Sequence, residues 1–102
     1  MKRMIVMDDA DNVATAIDDL HPGETIPLTI GGSQTQIEVT EPVPFAHKVA
    51  LTALPAGSAV VKYGEVIGTV TEAIGAGGHV HVHNVTSNRV DARDRLAGRD
   101  TA

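Results

Sequence analysis

The chain has 102 residues, 42% of them hydrophobic, and a formal net charge of −5 at pH 7. That length suits a single domain with one modest core, and the acidic balance, with Lys48, Lys62 and Arg89 as isolated cations, argues against nucleic-acid binding, which needs a clustered basic surface. Cysteine is absent, so disulfides and thiolate metal ligands are excluded; any metal has to be held by histidine, carboxylate or carbonyl groups, and a reducing, cytoplasmic setting fits.

The first apolar run, Met4 to Met7, is long enough for a short strand but stops at Asp8 and Asp9, so it reads as neither a signal peptide nor a membrane anchor. Asp8 to Asn12 is a turn rich in side chains that cap helices. The spacing of Val13, Ala16, Ile17 and Leu20 follows the helical period, which predicts a short helix over 13–20, stopped by His21, Pro22 and Gly23. Thr25 to Ile30 and Thr35 to Thr40 flank Gly31, Gly32 and Ser33 and read as a β-hairpin with Ile37 and Val39 on its buried face.

Pro42 and Pro44 cannot donate ladder hydrogen bonds, so 41–45 reads as an edge or a crossing loop. The stretch HKVALTAL then alternates Val49 and Leu51 with Ala50 and Thr52 as a strand. Further short strands are expected at 60–61, 66–70 and 80–85, separated by glycine. The charged segment NRVDARDRLAGRDTA forms a tail over 87–102, with at most a marginal helix around 90–96.

One spacing recurs. An apolar residue, a glycine three positions later and an apolar residue three further on occur in LHPGETI (20–26), LPAGSAV (54–60) and IGAGGHV (74–80). Each reads as an anchored turn in which glycine permits a positive φ before the next strand opens. The intervals between the three are unequal, which points to a convoluted β fold rather than a solenoid.

The segment GAGGHVHVHNV carries the chemistry. In an extended strand His79, His81 and His83 line one face while Val80 and Val82 take the other. Such an imidazole row suits a divalent metal or a bound substrate, and a solvated face is the bland alternative. His47 and Lys48 form a second candidate pair: an imidazole can move a proton and a lysine can hold a carboxylate. Tyr63, the only tyrosine, either donates to a substrate or closes the core. The glycines at 64, 68, 75, 77 and 78 are not a phosphate loop, because no helix and no Lys-Ser or Lys-Thr pair follows them.

Four ordered blocks, DNVATA (11–16), HKVAL (47–51), Tyr63-Gly64 with Ile67-Gly68, and HVHVHN (79–84), resemble the amino-terminal SAF-type, or β-clip, domain of the altronate and galactarate dehydratase family. They are equally similar to the small subunit of sulfolactate sulfo-lyase. Phe45-Ala46 departs from the pattern, since the family often has a small residue or glycine before the histidine. The resemblance implies a mostly β, compact β-clip domain spanning 1–86. It further implies a partner, a large catalytic lyase subunit, and a small hydroxy-acid or sugar-acid substrate. The implied cofactor is a divalent metal, Fe(2+) or else Mn(2+) or Zn(2+). On this basis His79, His81, His47 and Lys48 are the catalytic candidates, His83, Asn84 and Tyr63 the substrate-binding ones, and His79, His81 and His83 the metal ligands. The alternatives are the small subunit of a sulfolactate-type sulfo-lyase and a non-catalytic module that binds a metal or sugar acid; a homo-oligomer is a further expectation for the isolated chain.

Overall fold

The computed structural model describes residues 2–87, so the tail and the marginal helix expected at 90–96 lie outside the described residues. Nine short strands follow in order: β1 (Met4–Ile5), β2 (Val13–Ala16), β3 (Thr25–Ile30), β4 (Ser33–Glu38), β5 (Lys48–Ala50), β6 (Ala59–Lys62), β7 (Glu65–Val70), β8 (His79–Val80) and β9 (Val85–Ser87). They form three antiparallel sheets, with strand orders β1-β2-β5-β8, β3-β4 and β6-β7-β9.

The first sheet is covered on both faces. Met4, Ala14, Ala16 and Val49 pack on one side with Leu20, Ile26, Leu28, Val39 and Val43. Val13, Ala50 and Val80 pack on the other with Leu54, Val60, Val70 and Ile74. Successive strand residues therefore enter different cores, as the alternation of side chains across a strand requires.

This two-sided burial overturns the helix expected over 13–20. Among the described residues there is no helix, and Val13, Ala14 and Ala16 are all buried in β2. The apolar spacing of 3 and 4 was only part of the pattern: Ala14 is buried as well, which a one-sided helical stripe would not ask for. Val13 and Thr15 are β-branched and favour the pleated strand, and eight residues are too few to hold a helix without packing. Asp11 and Asn12, which read as caps, act across the fold instead. The Asp11 carboxylate accepts the amides of Asp8, Tyr63 and Gly64, and the Asn12 amide bridges to Ala59 and Val61 of β6.

The hairpin expected around Gly31 and Gly32 is present as β3 and β4, with Val39 buried and Ile37 half-buried. The recurring turn is present four times rather than three. Leu20 bridges Val43 and Leu54 bridges Ile74, each through a reciprocal pair of backbone hydrogen bonds. Three residues after each bridging residue the chain enters the left-handed region, at Gly23, Ala46, Gly57 and Gly77, with φ of 90, 74, 90 and 83°. The amides of these four residues donate to Val39, Ala16, Val70 and Ala50 respectively, which closes four equivalent corners. Six residues after the bridge stand Ile26, Val49, Val60 and Val80, all buried. The corner at VPFAHKV (43–49) escapes a search for glycine because Ala46 occupies the left-handed position.

A left-handed L-residue costs about 1–2 kcal/mol relative to glycine. We therefore expect Ala46→Gly to stabilise the domain by about 1 kcal/mol, raising Tm by about 4–8 °C; an unchanged or lower Tm in calorimetry would show that the corner carries no strain. Gly77→Ala should do the reverse, since its methyl would run into the carbonyl oxygen of Glu38. Val80→Asp places a carboxylate at a site with 0% exposure and should cost at least about 4 kcal/mol, enough to abolish the cooperative unfolding transition in circular dichroism.

Candidate functional site

β5 and β8 pair in the register Lys48↔Val80 and Val49↔His79. Continued by one residue, the same register sets His47 across from His81, and their rings stack with centroids 3.7 Å apart and planes 13° from parallel. His47 Nδ1 lies 2.8 Å from His79 Nε2, a hydrogen bond between two imidazoles. His47, His79 and His81 each bring one ring nitrogen into a group whose members lie within 4.8 Å of one another. His83 is exposed; its ring sits 4.9 Å from that of His79, tilted by 37°, and is not part of that group. The sequence pattern therefore missed His47 as a member of the imidazole cluster and included His83, which is its neighbour.

The difference arises because no strand runs over 80–85. β8 ends at Val80, a turn follows, and Val82, expected on a buried face, is 80% exposed. The turn is imposed by Asn84. Its Oδ1 accepts the His81 amide at 3.0 Å, its Nδ2 donates to the His79 carbonyl at 2.9 Å, and its own amide donates to the His81 carbonyl at 3.1 Å. Asn84 is 6% exposed, and both ends of its side-chain amide are committed to the backbone that carries His79 and His81.

Burial disfavours the charged imidazolium at His79 and His81, and both titrate below the usual histidine value. Charge on neighbouring histidines adds to this at both sites, as does Lys48 at His81, while Glu41 opposes it at His79. The Glu41 carboxylate also accepts the His79 backbone amide at 3.3 Å. His81 Nδ1 is buried and has no hydrogen-bond partner. An imidazole that is kept neutral and holds an unpartnered nitrogen is poised to ligate a cation, and a set of three nitrogen donors suits Fe(II) or Zn(II) among the biological divalent ions. The residues present therefore fit a divalent metal.

Lys48 is half-buried at the start of β5, and its ammonium is pushed below the ordinary lysine value by burial, then by the charge on Lys62. Tyr63 is 62% exposed, so it does not close the core. It occupies the two-residue turn Tyr63-Gly64 between β6 and β7, with φ of 57 and 72°, and the ammonium of Lys62 lies 5.2 Å from its ring centre. The Asp11 carboxylate fixes that turn by accepting both turn amides. His21 stands apart from the histidine group, within hydrogen-bonding distance of Lys2.

Compared with known proteins, residues 2–88 match the altronate/galactarate dehydratase SAF domain. This chain belongs to that family. The SAF domain described here is 35% identical over 91 residues to altronate dehydratase of Bacillus subtilis (strain 168), covering 89% of this chain and 18% of the relative. It is 42% identical over 62 residues to (2R)-sulfolactate sulfo-lyase subunit alpha of Paracoccus pantotrophus, covering 61% of this chain and 92% of that subunit. It is also 39% identical over 75 residues to galactarate dehydratase (L-threo-forming) of Escherichia coli (strain K12), covering 72% of this chain and 13% of the relative. The chain thus spans less than a fifth of the length of the two dehydratases, and its family is one of lyases.

The lowered values of His79 and His81 fix the sign of a pH effect. The unfolded chain takes up protons at these residues as pH falls through about 6.5, before the folded SAF domain does, so stability rises with pH across that window. Their contribution is complete above about 6.5 and is lost as pH falls toward the lowered folded values. We expect Tm in thermal denaturation to fall between pH 7.5 and 5.5, and the double substitution His79→Asn, His81→Asn to flatten the slope. A Tm that stays level in the unsubstituted domain over that range would contradict the assignment.

Proposed function

We propose that this SAF domain is the small part of a metal-dependent lyase and assists elimination of water from a sugar acid in a site shared with a large catalytic chain. The observation that carries this reading is the grouping of three imidazoles, from His47, His79 and His81, at one rim of the sheet, beside the half-buried Lys48. Two relatives with matching residues are dehydratases by name, and the domain covers only a fraction of each. A β domain of this size with one Phe and one Tyr offers few pocket-forming side chains, which favours a site completed by another chain. A cytoplasmic setting belongs to this reading.

Elimination of a group β to a carboxylate requires removal of the α proton, stabilisation of the enediolate and protonation of the leaving group. His47, His79 and His81, with His83 adjacent, would hold a divalent ion, which would supply the stabilisation of negative charge. His79 and His81 are neutral near pH 7, so each offers one lone-pair nitrogen, and it serves either as a metal ligand or, on a ring that does not ligate, as a proton acceptor. The hydrogen bond between His47 and His79 holds these rings side by side and would give way when both ligate, while Asn84 holds the backbone that carries His79 and His81. Lys48 and Tyr63 line the same cavity as His81 and can contact the acid and hydroxyl groups of a substrate.

A second reading, loss of sulfite from a sulfolactate-type acid, is favoured by one observation. The domain covers 92% of a sulfo-lyase alpha subunit, so a subunit of this extent works in that reaction by name.

The test is to recover the tagged chain with its bound partner from its own cells and assay the complex for dehydration of altronate and galactarate and for sulfite release from sulfolactate. The reading predicts one of these activities, a loss of about 10²–10⁴-fold on His81→Ala, and a much smaller loss on His83→Ala. Activity unchanged by His81→Ala would remove the imidazole cluster from the mechanism. A chain recovered without a lyase partner and without any of the three activities would favour a binding module.

A further inference from the structure

Beside His81, the turn at Tyr63 and residues of β7 and β9 line an open cavity of about 240 Å³, with Lys48, Lys62, Tyr63, Ile67, His81 and Val85 among its walls. That volume lies below the usual range of drug-sized ligand pockets and suits a molecule of a few carbons rather than a large cofactor. Its lining combines the aliphatic side chains of Ile67, Val82 and Val85 with two cations, Lys48 and Lys62.

The cations are the informative feature. The chain carries 13 acidic side chains against 8 basic ones, so a lysine on its surface has ample opportunity to pair. Lys2 does so, with Glu24 at 3.1 Å. Among the described residues neither Lys48 nor Lys62 has a carboxylate partner, although both are half-buried and lie on the same cavity. Among the described residues no carboxylate stands between these two ammonium groups, and like charges on one small cavity repel each other. Such an arrangement costs stability unless an anion joins it.

Both lysines are also positioned. Lys48 leaves β5 opposite Val80, and Lys62 is steadied over the Tyr63 ring, whose turn is pinned by the buried Asp11 carboxylate.

We infer that this cavity is an acid-group subsite, in which Lys48 and Lys62 hold the carboxylate or sulfonate of a small 2-hydroxy acid while its carbon chain lies along Ile67 and Val85 with the hydroxyl-bearing carbon toward His81. The inference extends the proposed lyase reading by assigning Lys62, which stands outside the imidazole cluster, to recognition of the substrate's charge. It also gives the domain a specificity that the metal ligands alone do not provide, since cationic side chains discriminate an acid from its neutral analogue.

The experiment uses the metal-free chain and reads binding rather than turnover, by amide chemical shifts in a ¹⁵N-labelled sample. The probes are lactate, its uncharged analogue lactamide, and 2-hydroxyethanesulfonate. We expect saturable shifts at Lys48, Lys62, Tyr63 and Val85 with lactate or the sulfonate, little response to lactamide, and at least tenfold weaker binding in Lys62→Gln. The tighter of the two anions identifies the acid group that the subsite prefers.

Equal response to lactamide, shifts centred elsewhere, absence of saturation, or unaltered affinity in Lys62→Gln would each overturn the inference. Failure of the lyase reading is separable. Anion binding at this cavity with no activity in the complex would refute only the lyase reading, whereas an active complex indifferent to Lys62→Gln in its KM would refute only the subsite.

Discussion

The pairing of β5 with β8 is only two residue pairs long, yet it fixes the whole candidate site. By setting Lys48 opposite Val80 and Val49 opposite His79, it places His47 within stacking distance of His81 and sends Lys48 toward the cavity beyond. So short a ladder does not hold itself; the sheet that contains it is clamped between two aliphatic cores, through Val49 on one face and Ala50 and Val80 on the other. Each of these three side chains has 0% exposure, so the rim residues beside them inherit a position they do not stabilise themselves.

The four corners explain how a small aliphatic chain reaches that arrangement. Each corner joins a bridged residue, a left-handed residue and a buried strand residue at fixed offsets, and the two bridges Leu20↔Val43 and Leu54↔Ile74 tie them in pairs. The corners at Ala46 and Gly77 lead directly into β5 and β8. His47 follows the left-handed Ala46, and His79 stands two residues after Gly77. The chemistry is thus attached to the exits of two equivalent turns, where a backbone already held by hydrogen bonds presents side chains at an edge. Phe45 and Val82, at 59% and 80% exposure, stand within two residues of His47 and His81 and leave apolar surface beside the imidazoles.

Much of this was legible in the residues themselves. The hairpin followed from Gly31 and Gly32 between two β-rich runs, three corners followed from glycine spacing, and the histidines stood out by their density. The rest depended on contacts distant in sequence. β2 imitated a helix because its residues enter two cores, and a one-dimensional period cannot distinguish one buried stripe from two buried faces. The imidazole row broke at Val80 because Asn84 bonds back to His79 and His81, a local turn that valine and histidine alternation conceals. His47 joined the cluster through strand register, 32 residues from His79. A search for the corner spacing that allowed Ala46 in place of glycine would have found the fourth turn, and with it the equivalence of the segments leading into His47 and His79.

The claim at the centre of this account is that strand pairing gathers His47, His79 and His81 into one divalent-metal site. X-ray absorption at the iron edge, on the chain loaded anaerobically with one equivalent of Fe(II), tests it most directly. The account predicts outer-shell scattering characteristic of imidazole from three histidines, reduced to two in His47→Ala and retained at three in His83→Ala. A spectrum with only oxygen neighbours, or one indifferent to His47→Ala, would contradict it.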